Sequence, residues 1–169
     1  MKKSKKNSSP LLFVVCGVIA GIVLKLFVVD ILNVSGTSME PAVPDGAVIV
    51  VSKLAYGLVK PFGDELLAQW RTPRKGEVVL YFYNDKAVVK RCVATSGEPL
   101  DFSTDSGYSL TVADKTIPLT EAQYQRIKHS SEVPSGTILA IGDNYAQSVD
   151  SRNYGFVSVH NIIGKVICR

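Results

Sequence analysis

The sequence is poor in the residues that build the commonest catalytic and metal sites. Its two histidines, His129 and His160, stand 31 positions apart. Its three cysteines (Cys16, Cys92 and Cys168) have no metal-ligand spacing. A zinc centre is not expected from either set, and neither is any other metal or cofactor. Cys16 falls in an apolar run, so only Cys92 and Cys168 remain to pair. One pair is not a disulfide framework, and free thiols are expected. No acidic residue precedes Asp30, whereas Lys2, Lys3, Lys5 and Lys6 supply four of the 19 basic residues. The remainder carries 15 basic against 15 acidic residues, so the net charge of +4 resides in an N-terminal tag. The body of the chain lacks the basic face of a nucleic-acid-binding domain, and no nucleic acid partner is expected. There is no internal repeat, no low-complexity linker and no second long apolar run, which argues against a solenoid or a polytopic membrane protein.

What is present is the composition of a folded chain, 46% apolar and 20% charged over 169 residues. That length suits one domain with a short appendage. The appendage is the run "LLFVVCGVIAGIVL", Leu11 to Leu24, extended past Lys25 to Val29. Nineteen helical residues span roughly 28 Å, close to a hydrocarbon core of about 30 Å. Lys25 lies near the far end, where its stem can snorkel to head groups. A cleaved secretory signal has the same basic and apolar start, but the exit "VVDILNVSG" offers no small-x-small cleavage site. A lipoprotein signal needs small residues before its cysteine, and "FVVC" lacks them. A buried core helix is the plainer alternative, but four lysines and Pro10 at the start fit membrane entry better. The expectation is an uncleaved single-pass anchor at 11–29. By the positive-inside rule, residues 1–10 form a cytoplasmic tail and 30–169 an extracytoplasmic domain, with the lipid bilayer as partner.

Beyond the anchor the pattern turns strand-like. "AVIVVSKL", "GEVVLYFY", "AVVKRCVA", "YSLTVA", "GTILAIG" and "NIIGKVIC" are short, β-branched and bounded by Gly, Pro, Asn or Asp. "YNDKA" has the composition of a hairpin turn joining the strands of Tyr81 and Val88. Only "TEAQYQRIKHS", Thr120 to Ser130, has helical character, with Thr120 as N-cap. "AYGLVKPFGDELLAQW", Ala55 to Trp70, is apolar but broken by Gly and Pro; a loop with a short helix, resting on the membrane surface, is expected there. The fold class is mainly β: a single transmembrane helix followed by an antiparallel, barrel-like or coiled sheet.

Three stretches can carry chemistry. "NVSGTSMEP" places Ser35, Thr37 and Ser38 around Gly36, which is turn composition or a nucleophile site. A serine nucleophile needs a base, and neither His129 nor His160 has a distinctive neighbourhood. A lysine serves if burial lowers its pKa. Lys90 sits in "AVVKRCVA", and in a strand Lys90 and Arg91 point to opposite faces, so one of them faces inward. An edge strand guarded by charges is the competing reading of the same pattern. The third stretch is "IGDNYAQSVDSRNYGFV", a polar loop after a strand. Its Asp143, Asp150 and Arg152 suit an internal charge-paired scaffold, and Ser148 can hydrogen-bond to a base.

Together these stretches resemble the bacterial type I signal peptidases, membrane-anchored serine proteases with a Ser-Lys dyad. The resemblance covers nearly the whole chain in the family's order: anchor, "SMEP", "DGAVIVVSK", "RKGEVVLY", "VVKR", then "GDNYAQSVDSR" and "GFV". It implies Ser38 as nucleophile, with its own backbone N–H donating to the oxyanion, and Lys90 as general base. It implies that Ser148 orients the lysine ammonium, with Asp150 and Arg152 as a supporting charge pair and Asp143 structural. The implied substrates are translocated preproteins, bound as extended strands, with small residues at the first and third positions before the scissile bond. Gly36 departs from a serine common in Gram-negative members and leaves the second oxyanion donor open. Tyr145 stands where an Arg is common, and "SGEPLD" is a loose version of the family's motif. The short chain is similar to the Gram-positive form. Competing expectations are a dedicated pilin- or conjugation-linked signal peptidase, a non-catalytic pilus-assembly homologue, and a self-cleaving repressor-type protease. The anchor argues against the last, and the presence of both Ser38 and Lys90 against the homologue without chemistry.

Overall fold

The computed structural model describes residues 10–60, 63–105 and 107–168. Helix α1, Pro10–Val23, continues as a π-helical turn, Leu24–Val28. This 19-residue apolar helix is long enough to cross a membrane, and none of it packs inside the protein. Val29, expected to close the anchor, instead opens strand β1, Val29–Asn33. The helix therefore runs straight into the sheet, with no linker between them.

The main sheet has seven strands in the order β1-β2-β12-β5-β6-β10-β11, and every pairing in it is antiparallel. It comprises β2 (Val48–Ser52), β5 (Val78–Tyr83), β6 (Lys86–Thr95), β10 (Thr137–Ile141), β11 (Val157–Ser158) and β12 (Ile162–Cys168) besides β1. The β5–β6 hairpin turns on Asn84 and Asp85, whose φ values of 49° and 60° are those of a tight two-residue turn. Asn and Asp tolerate that left-handed backbone, so "YND" fixes the register that sets Lys90 opposite Val79.

Two strands outside the main sheet correct an expectation. Among its described residues Ala55–Trp70 holds no α-helix: a 3-10 turn, Lys53–Ala55, leads into a ribbon of β3 (Gly57–Val59) and β4 (Leu66–Gln69). Gly57 permits this pairing, because a Cβ there would stand 2.1 Å from the Ala68 carbonyl oxygen. Strands β7 (Asp101–Ser103), β8 (Ser109–Val112) and β9 (Lys115–Pro118) form a separate antiparallel sheet. Helix α2, Glu121–Ile127, begins at Thr120 in a capping box with Gln123, and the short α3 spans Ser151–Tyr154.

The interior has two apolar centres. Met39, Ile49, Val79, Tyr81, Cys92 and Ile162 belong to the first; Leu110, Ile117, Ile127, Leu139 and Ile141 belong to the second. Strand β10 divides them, sending Ala140 to one side and Leu139 and Ile141 to the other, by the two-residue alternation of a strand. Cys92 and Cys168 are both free thiols, as expected, and burial pushes the Cys92 thiol up to about 12.

Candidate active site

Strand β6 is interior, with β5 on one side and β10 on the other, so it is not a charge-guarded edge. Its register turns Lys90 inward and Arg91 away. Lys90 is only 4% exposed. Its Nζ donates to Ser38 Oγ at 2.7 Å and to the Val89 carbonyl at 3.0 Å. Burial lowers the lysine's pKa below its ordinary value; Asp150 acts to raise it, Arg152 to lower it and Asp143 to raise it. A lysine so placed reaches its neutral, proton-accepting form more easily than one in water.

Ser38 lies in the turn that leaves β1. The chain is bent by Gly36, whose φ of +105° is a backbone that side-chain-bearing residues rarely adopt. The Gly36 N–H donates to Asp45 Oδ1 at 2.7 Å, so it is already engaged. The Ser38 carbonyl accepts from the Asn144 N–H at 3.1 Å, tying the turn to the loop after β10. The Ser38 N–H has no acceptor among the described residues.

That loop is organised by charge. Asp150 and Arg152 are buried and joined side-on, Nε to Oδ1 and Nη2 to Oδ2, each at 2.9 Å. Asp150 also accepts the Gly142 N–H at 3.0 Å and caps α3. Arg152 further donates to the Tyr145 carbonyl and lies over the Tyr145 ring. A buried ion pair repays its desolvation only with such additional hydrogen bonds. Asp143 does not join this pair as the sequence suggested; it grips Arg91 at 2.7 and 2.6 Å. Alternation along β6 is the reason, since the residue beside an inward Lys90 faces the opposite side of the sheet. Ser148 is buried, but its Oγ has no hydrogen-bond partner among the described residues and is not bonded to the Lys90 ammonium. It packs on Gly142, where an added Cβ would stand 2.2 Å from Ser148 Oγ and 2.4 Å from the Ser38 oxygen.

Ser38 and Lys90 both line an open groove of about 520 Å³. Leu32, Ile49, Leu80 and Val89 line it, with the chain of Val34–Ser38 on one bank and Lys86–Lys90 on the other. These apolar walls escaped sequence reasoning because each reads as ordinary strand filling. The Lys86–Lys90 bank is half-paired: β5 covers one edge, while β10 joins β6 only from Arg91 onward. Both histidines are exposed on the surface.

A buried lysine against a serine hydroxyl, on an antiparallel sheet fused to a membrane-length helix, has the form of an anchored serine peptidase. The chain belongs to the family described as "Signal peptidase, peptidase S26", whose model matches residues 7–169. It is 29% identical over 157 residues to a signal peptidase I of Bacillus caldolyticus, covering 85% of this chain and 80% of that one. It is 29% identical over 165 residues to signal peptidase IB of Staphylococcus aureus, covering 85% and 78%. A third relative is signal peptidase I V of Bacillus subtilis, 24% identical over 169 residues, with 94% of its length covered. The chain is accordingly a serine endopeptidase of the signal peptidase I type.

Proposed function

We propose that this protein removes signal peptides from translocated preproteins at the outer surface of a membrane, with Ser38 as nucleophile and Lys90 as general base. The single observation behind the residue assignment is the 2.7 Å contact between the buried Lys90 amine and Ser38 Oγ. The preprotein lies extended in the groove and pairs with the half-paired edge of β6. Its first and third residues before the scissile bond face the apolar wall, and the family resemblance makes both of them small. Ser38 Oγ attacks the carbonyl carbon as neutral Lys90 takes the hydroxyl proton. The Ser38 N–H stabilises the oxyanion. The resulting ammonium protonates the departing amine, leaving an ester on Ser38. Neutral Lys90 then removes a proton from water as the water attacks the ester, and it returns that proton to Ser38 Oγ as the acyl–oxygen bond breaks, so that the signal peptide leaves with a free carboxyl group.

Ser148, cast by the family resemblance as the residue that orients the lysine, packs on Gly142 beneath this pair without bonding to Lys90, and Asp150, Arg152 and Asp143 hold the loop that carries it. Helix α1 crosses the bilayer with the lysine tag in the cytoplasm, so residues 30–169 form the extracytoplasmic catalytic domain and Ser38 works close to the membrane surface. A pilus-assembly homologue without activity is not favoured, because the matched relatives are signal peptidases.

The deciding experiment is incubation of the full chain in detergent with a panel of preproteins, one of them a pilin, and mapping of the cleaved bonds. Cleavage after small residues by wild type, and none by Ser38→Ala, is expected. Wild-type-level processing by Ser38→Ala would sink the assignment, and cleavage of the pilin alone would narrow the substrate range.

A further inference from the structure

Tyr145 stands where an arginine is common in the family that the chain resembles, and the Ser38–Lys90 chemistry gives it no role. Its ring packs against the second apolar centre, and the Arg152 guanidinium lies over that ring, 5.6 Å from its centroid. Its carbonyl also accepts from Arg152 Nη2 at 2.9 Å. Arg152 is only 1% exposed. It donates as well to both Asp150 oxygens and to the Ser148 and Pro118 carbonyls at 3.3 and 3.4 Å. Tyr145 therefore holds the guanidinium at its edge and on its face. It also follows Asn144, whose N–H bonds the Ser38 carbonyl. The turn of the nucleophile and the ion pair beside the base meet at this one residue.

We propose that Tyr145 is a positioning residue for the Ser38–Lys90 pair, its ring face clamping Arg152 on Asp150. This rests on reading that pair as catalytic. A buried ion pair keeps its alignment only while both partners stay out of water and fully bonded. An aromatic face attracts a guanidinium, and the attraction grows as the cation loses its water. An arginine in that place has no such face to offer, so the clamp belongs to this chain. It transmits charge as well as place. Lys90 faces Asp150 and Asp143, which favour its ammonium, and Arg152, which opposes it. Asp150 faces the phenols of Tyr81 from β5 and Tyr154 from α3; burial pushes both far up, and they stay neutral. Asp143 is bound to Arg91, whose charge also feels the Tyr145 phenol. Loosening Arg152 leaves Asp150 as the least compensated charge beside Lys90. The lysine then holds its proton more tightly, and less of it is neutral at a given pH.

The test compares Tyr145→Leu and Tyr145→Phe in the full chain in detergent, with one preprotein as substrate. Tyr145→Leu removes the ring face. Its kcat is expected to fall about tenfold with KM little changed, and its acid limb in kcat/KM to move up by at least about half a pH unit. Tyr145→Phe keeps the face and should stay within about twofold of wild type. A role in packing alone would lower the melting temperature of Tyr145→Leu and leave its limb in place; that outcome overturns the proposal. So does a Tyr145→Phe as impaired as Tyr145→Leu, which would assign the effect to the hydroxyl. A trifluorinated phenylalanine at position 145 keeps the shape of the ring and drains its face, so it tests the clamp even where Tyr145→Leu does not fold. Its limb is expected to move up relative to Tyr145→Phe, and an unmoved limb overturns the proposal. Exchange of the Arg152 Nε proton, followed by NMR in the Ser38→Ala background, does not depend on turnover. It should be slow beneath the phenyl ring and severalfold faster beneath the fluorinated one. That result, in a protein whose Ser38→Ala variant still cleaves the preprotein, would keep the clamp and remove the Ser38–Lys90 reading. Equal exchange beneath both rings overturns the clamp and leaves that reading standing.

Discussion

Lys90 Nζ donates to Ser38 Oγ across 2.7 Å, although the two residues lie 52 positions apart in the chain. One comes from an interior strand and the other from the turn after β1, beyond the membrane-length helix. If this contact is the catalytic dyad, Lys90→Arg is the sharpest test, because arginine keeps length and charge but does not give up its proton. Lys90→Arg and Ser38→Ala should each lower kcat/KM for a preprotein by at least about a thousandfold. Circular dichroism and thermal melting should show Ser38→Ala folded. Activity of Lys90→Arg within tenfold of wild type would refute the base assignment.

The surroundings of Lys90 set a pH profile. Burial lowers its pKa, while Asp150 and Asp143 favour the ammonium. The neutral amine grows as pH rises, so kcat/KM should climb through an acid limb governed by Lys90 and lie flat above it. Asp143→Asn removes one of the anions that hold the proton. Its limb should move to lower pH, as read from kcat/KM over a pH series. A limb that stays put or moves upward would mean that another group governs it.

Gly142 lies beneath both serines. A Cβ at this position would meet Ser148 Oγ at 2.2 Å and the Ser38 carbonyl oxygen at 2.4 Å. Gly142→Ala must therefore displace the nucleophile's backbone. Overpacking of this kind costs about 1–3 kcal/mol. The expected signature is a stability loss in that range with a disproportionate fall in kcat, measured by urea unfolding beside steady-state kinetics. A fully active Gly142→Ala would show that the turn has room to move.

Gly36 stands where the family resemblance puts a serine in many Gram-negative members, and its backbone explains why a serine is a poor substitute here. Its φ is +105°, and its N–H is held by Asp45. Gly36→Ser should cost about 1–3 kcal/mol in strain and give no gain in kcat. A raised kcat in this variant would show that a hydroxyl here can reach the oxyanion.

Glu77 ties the ribbon to the sheet. Its carboxylate accepts from Arg71, from Tyr56, from the Arg74 N–H and from Lys165 at 3.0 Å. Burial alone would raise its pKa. The donors from Arg74, Lys165, Tyr56 and Arg71 outweigh burial and bring it from 4.5 to about 2. A depressed carboxylate contributes stability that is fully present above its ordinary pKa and is lost as pH falls toward the folded value. Glu77→Gln should destabilise by about 3 kcal/mol near neutrality. The gap from wild type should narrow between pH 4.5 and about 2, measured by thermal melts in detergent. A gap that is constant across that interval would assign Glu77 a purely steric role.

Local patterns were legible wherever one short segment decides its own structure. The apolar N-terminal helix, the "YND" turn, the Thr120 cap and six strands were visible because apolar period, turn residues and capping chemistry act over a few residues. The ribbon at Gly57–Gln69 was not visible. Its strands are three and four residues long, too short for alternation to register, and they pair only because Gly57 lets Ala68 approach. Strand β1 was hidden in the tail of the apolar run, where a helix end and a strand start have the same composition.

By itself the sequence determined which residue types were available: two serines and a threonine in a bent turn, one lysine in an apolar strand, and a loop able to pair its own charges. Only the tertiary structure decided their use. It put β6 inside the sheet, which buries Lys90 and lowers its pKa. It sent Asp143 to Arg91 and left Asp150 to Arg152. It also left the Lys86–Lys90 edge half-paired beside the groove that Ser38 and Lys90 line. Burial, strand order and edge pairing are properties of segments brought together from far along the chain, and no window of neighbouring residues contains them.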